Sequence, residues 1–170
     1  MNPSRQPKYL PYFEKLNALQ TEFGFPPFEG KPIEKIRAYR DRLREEFGLE
    51  LPEDYVEFLQ RADGFAENGV VFYAIDQDDE SDQLLPGLLA ENAEYQEAAE
   101  ELREYLVLGH SDLYLYAYHL PTRSYRALEE DTLEIGKEFE DFEDLMTCVL
   151  KYEVLGLFEE DEEGSEEATS

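Results

Sequence analysis

Apolar residues recur every three or four positions in several stretches of this chain, which is the pattern of a helix with one buried face. In the first stretch the recurring positions are Leu10, Phe13, Leu16, Leu19 and Phe23. The periodicity predicts helices over about 11–23, 33–47, 51–64 and 141–152, and composition predicts a further, weakly amphipathic helix over 91–105. Two of these helices have a proline that suits the first turn, Pro11 and Pro52. Three have a glycine that suits the end, Gly24, Gly48 and Gly64.

A different pattern, rich in β-branched and aromatic residues, occupies the middle of the chain. GVVFYAI (69–75) predicts one strand. YLVLG, LYLYAYH and RSYRAL predict an antiparallel meander, because short polar turns separate them. Helices first, a meander next and a helix last predict an α+β fold: a single domain whose antiparallel sheet packs against N-terminal helices and a C-terminal helix.

Local composition suggests where the domain begins and ends. The segment GFPPFEGKP is rich in proline and glycine, so 1–32 is predicted to be an N-terminal helical extension followed by a loop. The α+β domain is predicted over 33–156. The chain closes with EEDEEGSEEATS, which contains seven acids and no large apolar side chain, so 157–170 is predicted to be an acidic disordered tail.

The net charge is extreme. Forty-two acidic residues against 15 basic ones give −27 in 170 residues. Such a surface repels nucleic acid and anionic lipid and attracts a basic protein, so we expect a basic protein partner, no nucleic acid and no membrane. The start, MNPSRQPKYLPYFEK, has no apolar leader, and Cys148 is the only cysteine, so we expect a cytoplasmic protein without an internal disulfide.

Five acids cluster in one loop, and this loop is the first candidate site. They are Asp76, Asp78, Asp79, Glu80 and Asp82. An EF-hand loop aligned from Asp76 needs glycine at its sixth position and glutamate at its twelfth, where this chain has Ser81 and Gly87. The sequence therefore predicts no metal here. We interpret the loop as solvated, and its five acids as a docking patch for a basic partner.

The two histidines invite a catalytic interpretation, because His110, Ser111 and Asp112 are consecutive. Successive side chains of a strand point to opposite faces, so three neighbours cannot converge as a relay. His119 is expected at the far end of the same strand, beyond the hydrogen-bonding distance that a serine nucleophile needs. Gly109–Asp112 is therefore predicted to be a turn, and no catalytic residue is predicted.

The strand that follows the turn alternates two kinds of side chain. One face carries Tyr114, Tyr116 and Tyr118, and the other carries Leu113, Leu115 and Ala117. A row of tyrosines can be a protein-binding strip, since tyrosine offers wide contact at little entropic cost. The alternative is that the tyrosines pack beneath helices while their hydroxyls reach water. The three tyrosines are the second candidate partner-binding site.

Other chemistry has little support in the sequence. One cysteine and two histidines, none at ligand spacing, predict no zinc site, and Cys148, beside the apolar stripe of the last helix, is expected to be a packing residue. No phosphate-binding or dinucleotide-binding glycine motif is present, so no cofactor is expected. On the second helix, Arg37–Asp41 and Arg42–Glu46 are spaced to form ion pairs.

From about 33 to 150 the chain resembles the SUKH superfamily of the Smi/Knr type. The resemblance is carried by LPEDYVEFLQRADGF, in which the matching positions are Leu51, Pro52, Tyr55, Phe58, Leu59 and Asp63–Gly64. Tyr73 near the end of GVVFYAI, the hairpin with its aromatic strand, and Phe139 and Phe142 before the last helix also match. Asp63 replaces the usual asparagine, tryptophan is absent, and 1–32 has no counterpart in the family.

The resemblance implies a binding module and not an enzyme. Bacterial members are thought to be immunity proteins that neutralise toxin domains, often nucleases or deaminases, encoded beside them. A toxin that grips nucleic acid presents positive charge, which suits an acidic inhibitor. We therefore expect an acidic immunity protein, or antitoxin, that neutralises a basic toxin domain such as a nuclease. The alternative is a regulatory or scaffold adaptor that binds a constitutive cellular partner, as eukaryotic members do.

Overall fold

The computed structural model describes residues 6–75 and 85–157. In these residues the helical stretches form five α-helices: α1 (Leu10–Glu22), α2 (Ile33–Phe47), α3 (Glu53–Arg61), α4 (Leu88–Ala98) and α5 (Phe142–Cys148). A 3₁₀-helix (Glu100–Glu104) follows α4, and a π-helix (Val149–Val154) continues α5. The sequence patterns therefore predicted the position of each of these five α-helices, and most of the predicted ends are correct to within a few residues.

The same residues contain a six-stranded sheet whose strands are β1 (Phe65–Glu67), β2 (Val70–Phe72), β3 (Tyr105–His110), β4 (Tyr114–His119), β5 (Ser124–Glu129) and β6 (Ile135–Phe139). Each strand pairs antiparallel with the next in the chain, so the order is β1-β2-β3-β4-β5-β6. The α+β class and the meander are confirmed. The predicted strand at 69–75 is wrong in extent, since it is the second arm of a short hairpin and ends at Phe72.

Two helix boundaries also differ from the prediction. The third helix ends at Arg61, and Asp63 and Gly64 instead form a turn in which the Asp63 carboxylate accepts a hydrogen bond from the Ile75 amide at 2.9 Å. The fourth helix begins at Leu88 and ends at Ala98, after which the 3₁₀-helix replaces its predicted last turns. Because the amphipathic pattern of this helix is weak, the sequence did not define the residues at which it begins and ends.

Residue contacts divide the chain into two compact units. The smaller contains residues 6–27 and 143–157 of the described chain, with α1 in contact with the π-helix and Lys8 paired with Asp144 at 3.2 Å. The larger, Phe28–Phe142, contains α2, α3, α4 and the whole sheet. The boundaries predicted at 32 and 156 remain predictions.

The core of the larger unit is an aromatic cluster. Its rings belong to Tyr55, Phe58, Phe65, Phe72 and Phe142, all fully buried, with neighbouring centroids 5.3 to 6.3 Å apart. Tyr55 and Phe58 are three residues apart on α3 and so share its inner face. The Tyr55 hydroxyl donates a hydrogen bond of 2.7 Å to the carbonyl of Tyr73, and burial raises the pKa of this phenol well above its usual value.

A glycine positions the sheet beneath this cluster. Gly109 of β3 lies opposite Phe72 of β2 on one side and Tyr116 of β4 on the other. With no side chain between them, the Phe72 and Tyr116 rings stack at 5.5 Å and 9°. A Cβ on Gly109 would come within 2.4 Å of the Val71 carbonyl oxygen, so only glycine fits here.

A buried amide joins α4 to β3. Asn92 donates hydrogen bonds to the carbonyls of Leu88 and Val107 at 2.8 and 2.9 Å, and it accepts one from the Val107 amide at 2.8 Å. The register of β3 against β4 shifts between Val107 and Gly109. Asn92 thus replaces a strand partner for the Val107 backbone at this irregularity.

None of the helices within 6–75 and 85–157 combines the length and the apolar character needed to cross a bilayer.

Candidate functional site

A concave groove of about 410 Å³ lies within the larger unit. We call it the tyrosine groove. Its residues come from α2, the α2–α3 connection, the first turn of α3, the β4–β5 hairpin and the residues after β6: Arg40, Arg44, Glu50, Leu51, Pro52, Glu53, Asp54, Tyr118, Arg123, Tyr125, Glu140 and Asp141. The end of the sheet and the start of a helix therefore supply the same concavity.

Tyr118 and Tyr125 give the groove its name. They are directly opposite each other on β4 and β5, and their ring centroids are 5.0 Å apart. The two residues are only 6% and 4% exposed, and yet neither phenol oxygen has a hydrogen-bond partner among the described residues. The buried side-chain atoms without a partner in the described residues are Arg40 Nε and Thr147 Oγ1, so the two phenol oxygens, although they belong to largely buried residues, remain accessible from the groove.

The electrostatic surroundings of these phenols are negative. Burial raises the pKa of Tyr118, and Glu50 and Asp54 raise it further, while Arg123 opposes them. Burial also raises the pKa of Tyr125, with Asp54 as the largest charged contributor. Both phenols therefore stay protonated across the physiological range, and each can donate one hydrogen bond and accept another.

The groove contains five carboxylates and three guanidinium groups. Two of the arginines are paired: Arg40 Nη1 lies 3.3 Å from Glu53 Oε1, and Arg44 Nη2 lies 2.8 Å from Asp41 Oδ1, outside the groove lining. Arg123 is on the β4–β5 turn in the left-handed conformation, with φ of 57°. Five carboxylates against three guanidinium groups give the lining an excess of negative charge.

Of the ion pairs predicted on α2, one is present. Arg42 Nε lies 3.4 Å from Glu46 Oε2. Asp41 pairs with Arg44 one turn along, in place of the predicted Arg37. The Arg40 Nε atom is buried and has no hydrogen-bond partner in the part of the chain that the structure describes.

The first candidate site from the sequence, the loop with Asp76, Asp78, Asp79, Glu80 and Asp82, lies outside the described residues. Its role as a docking patch therefore remains a prediction. Just beyond the loop, Pro86 accepts a backbone hydrogen bond from Ala74 and Gly87 forms an isolated bridge with it, two residues after the end of β2.

The three tyrosines of the second candidate site, Tyr114, Tyr116 and Tyr118, lie in three different environments. Tyr116 is 1% exposed, stacks on Phe72 and donates a hydrogen bond to the Ser111 hydroxyl, so it belongs to the core and not to a surface strip. Tyr118 lines the tyrosine groove. Tyr114 is half-buried beside a second, smaller cavity at the opposite end of β4. Leu113, predicted to share a face with Leu115, is exposed in the turn before the strand.

A turn joins β3 to β4 as predicted, but the predicted extent, Gly109–Asp112, is wrong: Gly109 and His110 belong to β3, and the turn contains Ser111, Asp112 and Leu113. The Ser111 amide donates to the Tyr114 carbonyl at 2.8 Å, and the Ser111 hydroxyl accepts from the amides of Leu113 and Tyr114. His110 Nδ1 lies 2.7 Å from the Tyr73 hydroxyl, which in turn lies 2.7 Å from the Tyr95 hydroxyl.

The other histidine has separate partners. His119 is at the far end of the β3–β4 pair, where its ring nitrogens lie 2.7 Å from Thr122 Oγ1 and 3.1 Å from Glu104 Oε1. The two imidazoles therefore do not meet. Within 6–75 and 85–157 there is also no group of three or more His, Cys, Asp or Glu side chains that could hold a metal ion.

Comparison with known proteins gives one family. No curated protein matches the chain significantly. The profile of the SMI1 / KNR4 family (SUKH-1) matches residues 38–147, well over half of the chain and every residue of the tyrosine groove. The resemblance inferred from the motif around Tyr55 and Gly64 is thereby confirmed. The chain belongs to the SMI1 / KNR4 family (SUKH-1).

Proposed function

We propose that this protein is a non-enzymatic binding module that neutralises a basic toxin domain, such as a nuclease, by covering its cationic surface. Two facts support the proposal together. The chain belongs to the SUKH-1 family, whose bacterial relatives are thought to include immunity proteins. It also carries a net charge of −27, which favours association with a basic protein and opposes contact with nucleic acid itself.

The observation that carries the proposal is the tyrosine groove. A concave region whose polar groups have no partner within the fold can exchange water for the groups of a binding partner. Tyr118 and Tyr125 supply two such hydroxyls, and Glu50 and Asp54 supply negative charge beside them. The histidines, by contrast, are engaged separately in hydrogen bonds within the fold. The arrangement favours recognition over catalysis.

The proposal is tested by mixing the purified protein with the product of the neighbouring gene. We expect a complex that survives size-exclusion chromatography, and rescue of growth when both genes are expressed together. Absence of a complex at micromolar concentration, together with absence of rescue, would contradict the proposal. Capture of a constitutive cellular protein, with no toxin gene nearby, would favour the regulatory adaptor instead.

A further inference from the structure

The two phenol hydroxyls of the tyrosine groove have no hydrogen-bond partner within the described residues and remain accessible from the cavity. Tyr118 and Tyr125 are more than nine-tenths buried and line a cavity of about 410 Å³. A cavity of this size is in the range of roughly 300–1,000 Å³ that is typical of small-ligand sites. The hydroxyls are therefore available to hydrogen-bond a ligand that enters the groove in place of water.

The charge of the groove selects a cationic ligand. The lining of the groove contains five carboxylates and three guanidinium groups, so its net charge is negative. The carboxylates are those of Glu50, Glu53, Asp54, Glu140 and Asp141, and the guanidinium groups are those of Arg40, Arg44 and Arg123. An anion entering this cavity would be repelled, whereas a cation would be attracted.

We propose that the tyrosine groove receives an arginine side chain of the basic partner. This inference rests on the proposed function for the source of the arginine, but the recognition follows from the groove itself. A guanidinium presents five N–H donors in one plane, which suits two phenol oxygens and several carboxylates that all accept. Its flat face also stacks on aromatic rings, which an ammonium group does less well.

The first test is a nuclear magnetic resonance titration of the full-length, nitrogen-15-labelled protein with acetyl-Gly-Arg-Gly-amide. We expect amide shifts that cluster at Leu51, Asp54 and the Tyr118–Tyr125 hairpin. The dissociation constant should be about 1 mM, as befits one side chain. The matched peptide with citrulline, which keeps the shape and loses the charge, should bind at least about 10-fold more weakly, a difference of about 1.4 kcal/mol. The peptide with lysine should bind several-fold more weakly than the peptide with arginine.

Shifts that are equal for arginine and lysine and are spread over the acidic surface would mean non-specific attraction only, and would overturn the proposal. Unchanged groove amides at the highest peptide concentration would do the same.

Variants separate the groove from the general charge. The double change Tyr118→Phe and Tyr125→Phe removes both hydroxyls while keeping both rings, and it should weaken binding of the arginine peptide about 10-fold. Glu50→Gln changes one exposed acid of the groove and should weaken binding several-fold. Glu57→Gln changes an exposed acid of α3 outside the groove and is the control, expected to bind as the parent does.

If Tyr118→Phe/Tyr125→Phe and Glu50→Gln both bind the arginine peptide as tightly as the parent does, the groove is not the arginine site. Should the double tyrosine variant fail to fold, Glu50→Gln against Glu57→Gln decides alone.

The peptide titration distinguishes this inference from the proposed function. If the arginine peptide binds in the groove but no toxin partner is found, the arginine site is supported and the immunity role is contradicted. A toxin complex whose affinity is unchanged by the double tyrosine variant would keep the immunity role and remove the arginine site.

Discussion

Replacing Gly64 by alanine is expected to lower the free energy of unfolding by about 3 kcal/mol. Gly64 has φ of 82°, a conformation that residues with a Cβ adopt only at a cost. The added Cβ would lie 2.6 Å from the Phe72 carbonyl oxygen and 3.0 Å from the Ala74 nitrogen. Both contacts are with backbone, so β2 itself must move. That movement disturbs the hydrogen bond between Asp63 and the Ile75 amide.

Gly48→Ala is the matched control for this change. Gly48 lies in the same unit, has φ of 67°, and has no atom within 4 Å of the added Cβ. The free energy of unfolding of Gly48→Ala should fall by about 1 kcal/mol, because only the backbone conformation opposes the added Cβ. Urea denaturation of the parent and of both variants measures the difference. Equal losses for Gly48→Ala and Gly64→Ala would show that the close approach to β2 does not matter.

The association rate of the complex with the basic partner is expected to fall about 100-fold between about 10 mM and 500 mM NaCl. With a net charge of −27, the protein attracts a cationic surface over long distances when the Debye length is about 30 Å. Salt shortens that length to a few ångströms and removes the attraction between separated molecules. The dissociation rate should change much less, because contacts formed at short range are screened less. Stopped-flow or surface-plasmon measurements give both rates.

Neutralising the acidic loop provides the control for the salt series. Changing Asp76, Asp78, Asp79, Glu80 and Asp82 to their amides removes five of the 42 acids. If the loop is a docking patch, as the sequence predicts, this variant should associate several-fold more slowly at low salt and like the parent at high salt. An association rate that is independent of salt in the parent would contradict electrostatic steering altogether.

Local patterns were sufficient to predict the elements that carry a regular period. The stripe of α2, with Ile36 and Leu43 buried, and the alternation of β4 are visible in the sequence. The strands β1 and β6 were not predicted. The first has three residues, and the second, IGKEF, is exposed at four of its five positions, so neither shows the alternation of a half-buried strand.

The tyrosine groove could not be predicted from local sequence patterns. Period-two alternation correctly put Tyr116 and Tyr118 on one face, but the cover over that face comes from distant segments. Tyr116 is covered because the glycine at 109 lets Phe72 stack on it. Tyr118 meets a cavity because the α2–α3 connection, some 65 residues earlier in the chain, passes over the end of β4. Tyr125 and Glu50 could be identified as site residues only once that packing was known.

The central claim, that this protein acts by occupying its partner and not by chemistry, is tested most directly by a stoichiometric titration of the partner's activity. The protein is added in increments to a fixed amount of the purified toxin, well above the dissociation constant, and the remaining toxin activity is measured. We predict a linear fall to zero at one equivalent, with full activity recovered after the complex is separated by denaturation and the toxin is refolded. Loss of activity at a small fraction of an equivalent, increasing with time, would reveal catalysis and contradict the account.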